Sequence, residues 1–174
     1  MTSTLPAHLW PRTAAIDRGV LVIGGCSAVD LAAAHGTPLY IFDEVTLRTT
    51  MRSFKAAFAQ HYPGPVQIHY ASKALLNLAL AQIVAQEGLG IDVVSGAELL
   101  VARRAGLPLD HVHLHGNAKS PAELARAVAW GVGAIVVDNL DELDQLAALC
   151  AGRAEPQDVL LRVAPNITAQ THAH

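Results

Sequence analysis

The run Ile68-His69-Tyr70-Ala71-Ser72-Lys73-Ala74 carries the residue best suited to covalent chemistry. An apolar, strand-like stretch ends in one lysine, a helical pattern follows at once, and no other lysine comes until Lys119. Lysine amines form Schiff bases with carbonyl compounds, and an apolar layer behind the stem is one way a protein makes the neutral amine available. Lys73 is therefore a candidate Schiff-base lysine. A lysine that only faces water is the competing reading.

Further polar residues follow apolar runs in the same manner: Asp92 and Ser95, His115-Gly116-Asn117, Asp138-Asn139, and Arg162. In parallel β/α barrels the working residues gather at the C-terminal ends of strands. A lysine, an aspartate, a histidine and an arginine on one rim suit a small anionic ligand with one reactive carbonyl. Each also has a plainer role open to it. Asp92 could bond neighbouring backbone amides, Glu98 has a capping role, and Arg162 could be solvated. Asp138 and Asn139 read as turn and cap residues.

His111, His113 and His115 alternate along one apolar run and would point to one face. Two-residue spacing along a strand sets side chains roughly 6.5–7 Å apart, which is awkward for three ligands around one zinc ion. His172 and His174 form a second pair with no third ligand nearby. No metal site is assigned. There is no H-E-x-x-H motif and no G-x-S-x-G elbow.

The elements that must position these residues follow a regular beat. Strand candidates are Leu39–Phe42, Val66–Tyr70, Gly90–Val94, His111–His115, Ala134–Val137 and Val159–Val163. Helix candidates are Glu44–Gln60, Leu75–Glu87, Ala97–Ala105, Pro121–Trp130 and Leu140–Cys150. Ser95-Gly96-Ala97-Glu98 and Ser120-Pro121-Ala122-Glu123 read as capping boxes, and Asn139 as the cap of the last helix. Gly88, Gly106 and Gly131 stand where helices stop. Alternating strands and helices predict an α/β protein with a parallel sheet. A doubly wound sheet and a barrel both fit. The even beat favours the barrel, and no G-x-G-x-x-G turn supports dinucleotide binding.

The expected fold is a partial (β/α)8 TIM-type barrel of about five of the eight units, because a whole barrel takes about 250 residues. Residues 1–37 have a different texture, with a strand in Gly19–Gly25 and a short helix in Val29–His35. They read as a segment outside the barrel that belongs to a second β domain, and residues 38–174 read as the first part of the barrel.

Composition narrows the classes. The 174 residues are 52% hydrophobic and 16% charged, with a net charge of −3, so the chain reads as globular. The longest basic run is Arg103-Arg104, which argues against nucleic acid or an anionic membrane surface. Cys26 and Cys150 form no C-x-x-C motif. The N-terminus lacks a secretory pattern and Ala74–Ala85 is too short to span a bilayer, so the chain reads as cytoplasmic.

Six segments, in order, resemble the diaminopimelate decarboxylases of the alanine-racemase-like, fold-type III class of pyridoxal-phosphate enzymes. They are Gly36-Thr37-Pro38-Leu39-Tyr40, Tyr70-Ala71-Ser72-Lys73-Ala74, Gly90-Ile91-Asp92-Val93-Val94-Ser95-Gly96-Ala97-Glu98-Leu99, His115-Gly116-Asn117-Ala118-Lys119-Ser120, Gly131-Val132-Gly133 through Val137-Asp138-Asn139 to Glu142-Leu143, and Leu161-Arg162-Val163-Ala164-Pro165 with the trailing Thr171-His172. Leu75, Ala118 and Ala164 stand where the family commonly has asparagine.

The resemblance implies that Lys73 holds pyridoxal 5'-phosphate, that Asp92 and Glu98 lie near that lysine, and that Arg162 lies near the cofactor ring. It implies decarboxylation of meso-diaminopimelate to L-lysine by a dimer. A family relative acting on ornithine, arginine or carboxynorspermidine, or a non-catalytic pyridoxal-phosphate-binding barrel, are the alternatives. The family's phosphate-binding loop, ring-stacking histidine and substrate-reading residues would follow residue 174, so this piece alone is expected to be inactive.

Overall fold

The computed structural model describes Pro6 and residues 9–165. Thr171, His172 and His174 lie outside the described residues. The chain divides into two compact units after Val66.

The first unit holds three short antiparallel strands, β1 (Ala15–Asp17), β2 (Val20–Ile23) and β3 (Cys26–Ser27), in the order β1-β2-β3. Arg18-Gly19 and Gly24-Gly25 join them, all four residues with positive φ, as two-residue hairpin turns of the primed type require. Helix α1 (Ala28–His35) starts at Ser27, whose hydroxyl accepts from Asp30 N. Helix α2 (Glu44–His61) starts at Asp43, whose carboxylate accepts from Thr46 N. Leu39–Phe42, expected to be a strand, is not one. No strand pairs with it among the described residues, and Tyr40 and Phe42 are exposed. Apolar, β-rich composition yields a strand only where a neighbour completes the ladder.

The second unit is a parallel sheet of five strands: β4 (His69–Ala71), β5 (Gly90–Val93), β6 (Val112–Leu114), β7 (Ala134–Val137) and β8 (Val159–Leu161). Their order in space is their order in sequence, β4-β5-β6-β7-β8. That settles the choice left open above. A doubly wound sheet reverses direction at a switch point, whereas unbroken sequential order is that of consecutive units of a β/α barrel.

Helices α3 (Leu78–Gln86), α4 (Gly96–Arg104), α5 (Pro121–Trp130) and α6 (Leu140–Cys150) connect the strands. Helix α3 starts three residues later than expected. Ser72–Ala74 forms a 3-10 turn, Leu75 is extended, and Asn77 is the residue whose side chain caps the helix by accepting from Leu80 N.

Alternation along the strands builds the core. Ile91 and Val93, Val112 and Leu114, and Ile135 and Val137 are buried beneath the helices, with Val84, Leu99 and Leu124 packed from above. Each such side chain contributes about 1.5–3 kcal/mol by leaving water. The other face of the sheet follows from the period of two. The register aligns Ala71 with Asp92 and Asp92 with His113, so these residues share the helix-free face.

Candidate active site

On that helix-free face, at the C-terminal ends of the strands, one cavity of about 390 Å³ is lined by Ala71, Lys73, Asp92, Val94, His115, Gly116, Asn117, Asp138 and Arg162. The residues singled out from the sequence, Lys73, Asp92, His115 and Arg162, therefore share one cavity. Its size falls within the ordinary range for small-ligand sites.

Lys73 sits not on a strand but in the 3-10 turn after β4, with an exposed side chain. The turn is anchored through its buried neighbour. Ser72 Oγ donates to Glu98 Oε2 at 2.6 Å, and Val94 N donates to the same oxygen at 2.7 Å. Glu98 thus differs from its expected role. Ser95 Oγ does accept from Glu98 N, but the carboxylate ties β4 to β5 instead of closing a capping box. Gly96 N is served by Glu123 Oε1 of α5 at 2.7 Å. The expected capping box at Ser120 and Glu123 is complete.

Asp92 is the electrostatic centre. Its Oδ1 lies 2.9 Å from His69 Nδ1 and 3.5 Å from His113 Nδ1, and its Oδ2 lies 3.3 Å from His115 Nε2. Burial pushes its pKa up, but contact with His69 and the nearby imidazoles of His115 and His113 outweigh this and hold the carboxyl below its usual range. His113 is shifted down, chiefly by burial and by His69, so its neutral form is favoured. The His69 ring fills the place where a side chain at residue 90 would stand: a Cβ on Gly90 would lie 2.7 Å from that ring and 2.7 Å from His111 O. Residue 90 must be glycine for the ring to lie there.

Arg162 follows β8, its N donating to Val137 O at 3.0 Å. Its guanidinium Nε lies 3.7 Å from Asp138 Oδ1, and the side chain is 64% exposed at the cavity. Under the rim, Lys119 is buried. It donates to Gly116 O, to Val136 O at 2.8 Å, and meets Glu142 Oε1 at 2.7 Å.

The cavity-lining residues each follow an apolar run in the sequence, whereas the groups beneath them carry no such mark. His69 carries no local mark, being one residue within a strand, and its contact with Asp92 exists only through the register. The Lys119–Glu142 pair was likewise hidden, although Lys119 belongs to one of the six family-like segments.

Residues 45–174 match the pyridoxal-dependent decarboxylase family over its pyridoxal binding domain. With a sequential parallel β/α sheet and a lysine-bearing cavity at the strand ends, the chain belongs to that family. It is 44% identical over 168 residues to a diaminopimelate decarboxylase of Actinosynnema pretiosum, covering 97% of this chain and 37% of that protein. It is 46% identical over 157 residues to that of Bacillus subtilis, covering 90% of this chain and 35% of that one. Among solved structures, the diaminopimelate decarboxylase of M. jannaschii superposes with a TM-score of 0.83 at 32% identity, covering 92% of this chain and 38% of that one. The chain thus spans little more than a third of the relatives it matches. Their common fold is the fold-type III barrel, of which the five parallel strands form a part. No helix among the described residues is long and apolar enough to cross a membrane.

Proposed function

We propose that this chain is the cofactor-holding part of a pyridoxal-phosphate-dependent carboxy-lyase that converts meso-diaminopimelate to L-lysine. The observation that carries this reading is the joint lining of one cavity by Lys73, Asp92, His115 and Arg162, in a chain 44–46% identical to relatives named for that reaction.

The groups present fit the cofactor. A primary amine suits its aldehyde, a guanidinium suits an anionic group on cofactor or substrate, and the cavity has the room. When bound, pyridoxal phosphate supplies an electron sink for the pair released as the α-carboxylate departs. Lys73 is the residue that holds it. Asp92 keeps a negative charge in the cavity, and its contacts with three imidazoles fix where that charge stands. Arg162 stands on the far rim as the exposed cation. Glu98, through Ser72, holds the turn that presents the Lys73 amine.

The complete protein is proposed to be a cytoplasmic homodimer acting on a free amino acid, without a nucleic-acid or membrane partner. The net charge of −3 and the lack of any long basic run support the reading that no nucleic acid or anionic membrane surface is a partner.

The test has two arms on the complete protein. Borohydride reduction of the cofactor-loaded protein, followed by peptide mapping, should place the label on Lys73; a label elsewhere overturns the lysine assignment. Carbon dioxide should be released from meso-diaminopimelate in preference to ornithine or arginine; the reverse preference overturns the substrate. The 174-residue chain alone should release no more than its Lys73→Ala control.

A further inference from the structure

Three histidines stand around Asp92, and two of them, His69 and His113, present Nδ1 to one and the same carboxylate oxygen. His69 comes from β4, Asp92 from β5 and His113 from β6, three neighbouring strands whose register sets Asp92 beside His113 and, through Ala71, two residues beyond His69. One ligand-type atom from each of the three lies within 4.8 Å of the others. The rings of His69 and His113 stack with centroids 3.9 Å apart, inclined by 27°. Both present Nδ1 to the same carboxylate oxygen, at 2.9 Å and 3.5 Å.

His69 and Asp92 meet as an ion pair at 2.9 Å, with the ring N–H not aligned on the carboxylate oxygen. His69 Nδ1, His69 Nε2 and Asp92 Oδ1 are buried and have no aligned hydrogen-bond partner among the described residues. Buried polar atoms without partners are rare in folded proteins, and a bound ion or water is one of the standard reasons for them. Here the atoms without an aligned hydrogen bond and the clustered ligand-type atoms belong to the same site.

We propose that His69, Asp92 and His113 bind a borderline divalent transition-metal ion of the zinc class. The donor set is two imidazoles and one carboxylate, which suits such ions and not the all-oxygen sites of calcium or magnesium. Metal–ligand bonds of about 2.0–2.1 Å in a tetrahedron give ligand–ligand edges of roughly 3.3 Å. The separations of 2.9 and 3.5 Å bracket that edge. His115, on the other carboxylate oxygen at 3.3 Å, is the outer partner that fixes the orientation of Asp92. The site differs from the one the strand pattern suggested: His111 drops out, and His69 and Asp92 come in from neighbouring strands.

The test is a cobalt(II) titration of the complete, chelator-stripped, cofactor-free protein, followed by visible absorption, with zinc binding measured by equilibrium dialysis. One ion per chain is expected, in wild type and in Lys73→Ala alike, so failure of the lysine assignment would leave this result untouched. His69→Gln and His113→Gln should each weaken binding by about 100-fold or more, beyond what loss of an outer partner does, whereas His111→Gln should bind as wild type. Absence of saturable binding by the folded wild-type protein overturns the proposal without recourse to any variant. So does wild-type affinity in a folded His69→Gln protein, or X-ray absorption of the zinc-loaded protein that shows no imidazole ligands.

Discussion

The Lys119 ammonium lies 2.7 Å from the Glu142 carboxylate, with only 2% and 5% of the two side chains exposed. Lys119 comes from the loop after β6 and Glu142 from α6, so the pair joins two β/α units beneath the cavity rim. The ammonium also donates to Gly116 O and Val136 O, and Gly116 lines the cavity. Removing one partner of a buried pair leaves the other charge uncompensated. Lys119→Met should therefore destabilise the fold by about 3–5 kcal/mol. Lys119→Met with Glu142→Leu should recover part of that loss, leaving about 1–3 kcal/mol for the carbonyls that lose their donor. Urea denaturation of the two variants checks this, and a single variant no worse than the double one would contradict it.

The loop before Lys119 carries a local strain. Ala118 is exposed and has φ of +51°, a left-handed conformation that disfavours a residue with a Cβ. The family resemblance has asparagine at this place, and asparagine tolerates that conformation better than alanine does. Ala118→Asn and Ala118→Gly should each stabilise the protein by about 0.4–1 kcal/mol, seen as a higher denaturation midpoint with an unchanged slope. A loss of stability in both would show that the loop is not strained there.

The strand and helix order could be read because its signals are local. Ser120 with Glu123, Asn139, and the apolar runs around Ile91 and Ile135 act over a few residues. The rim could be read too, since Lys73, Asp92, His115 and Arg162 each follow such a run. What was hidden depends on register and on distant neighbours. Glu98 matched a capping box by spacing, and only the fold brings Ser72 to within 2.6 Å of it. His69 meets Asp92 because β4 and β5 align Ala71 with Asp92. Leu39–Phe42 has strand composition and no strand beside it among the described residues.

The bond between Ser72 and Glu98 predicts an unequal pair of substitutions. Ser72 is buried and its hydroxyl donates to Glu98 Oε2, while Val94 N donates to the same oxygen. Glu98→Ala leaves the buried Ser72 hydroxyl and Val94 N without their acceptor, at a cost of about 1–3 kcal/mol. Ser72→Ala leaves Glu98 with its Val94 bond, and should cost only about 0.5–1.5 kcal/mol. Since the turn presents Lys73, borohydride trapping of pyridoxal phosphate should slow more in Glu98→Ala than in Ser72→Ala. Equal trapping rates in wild type and both variants would separate the turn from the role proposed for Lys73.

Glu123 gives the pH prediction. Hydrogen bonds from Ser120 N and Gly96 N, with the Ser120 hydroxyl, hold its carboxyl below the usual value of 4.5, against a small opposing effect of burial. The folded state therefore binds this proton less readily than the unfolded chain. Between the unfolded pKa and the lower folded one, the unfolded state carries more protons, so stability rises with pH. The contribution is fully present above about pH 4.5 and is lost as pH falls through the folded value. Glu123→Gln keeps one acceptor oxygen but cannot titrate. Its stability should follow a flatter curve than wild type below about pH 4.5, and the two curves should run parallel above it. Denaturation midpoints from pH 3 to 7 would decide the matter: parallel curves throughout would mean that the bonds from Ser120 and Gly96 do not favour the charged carboxylate.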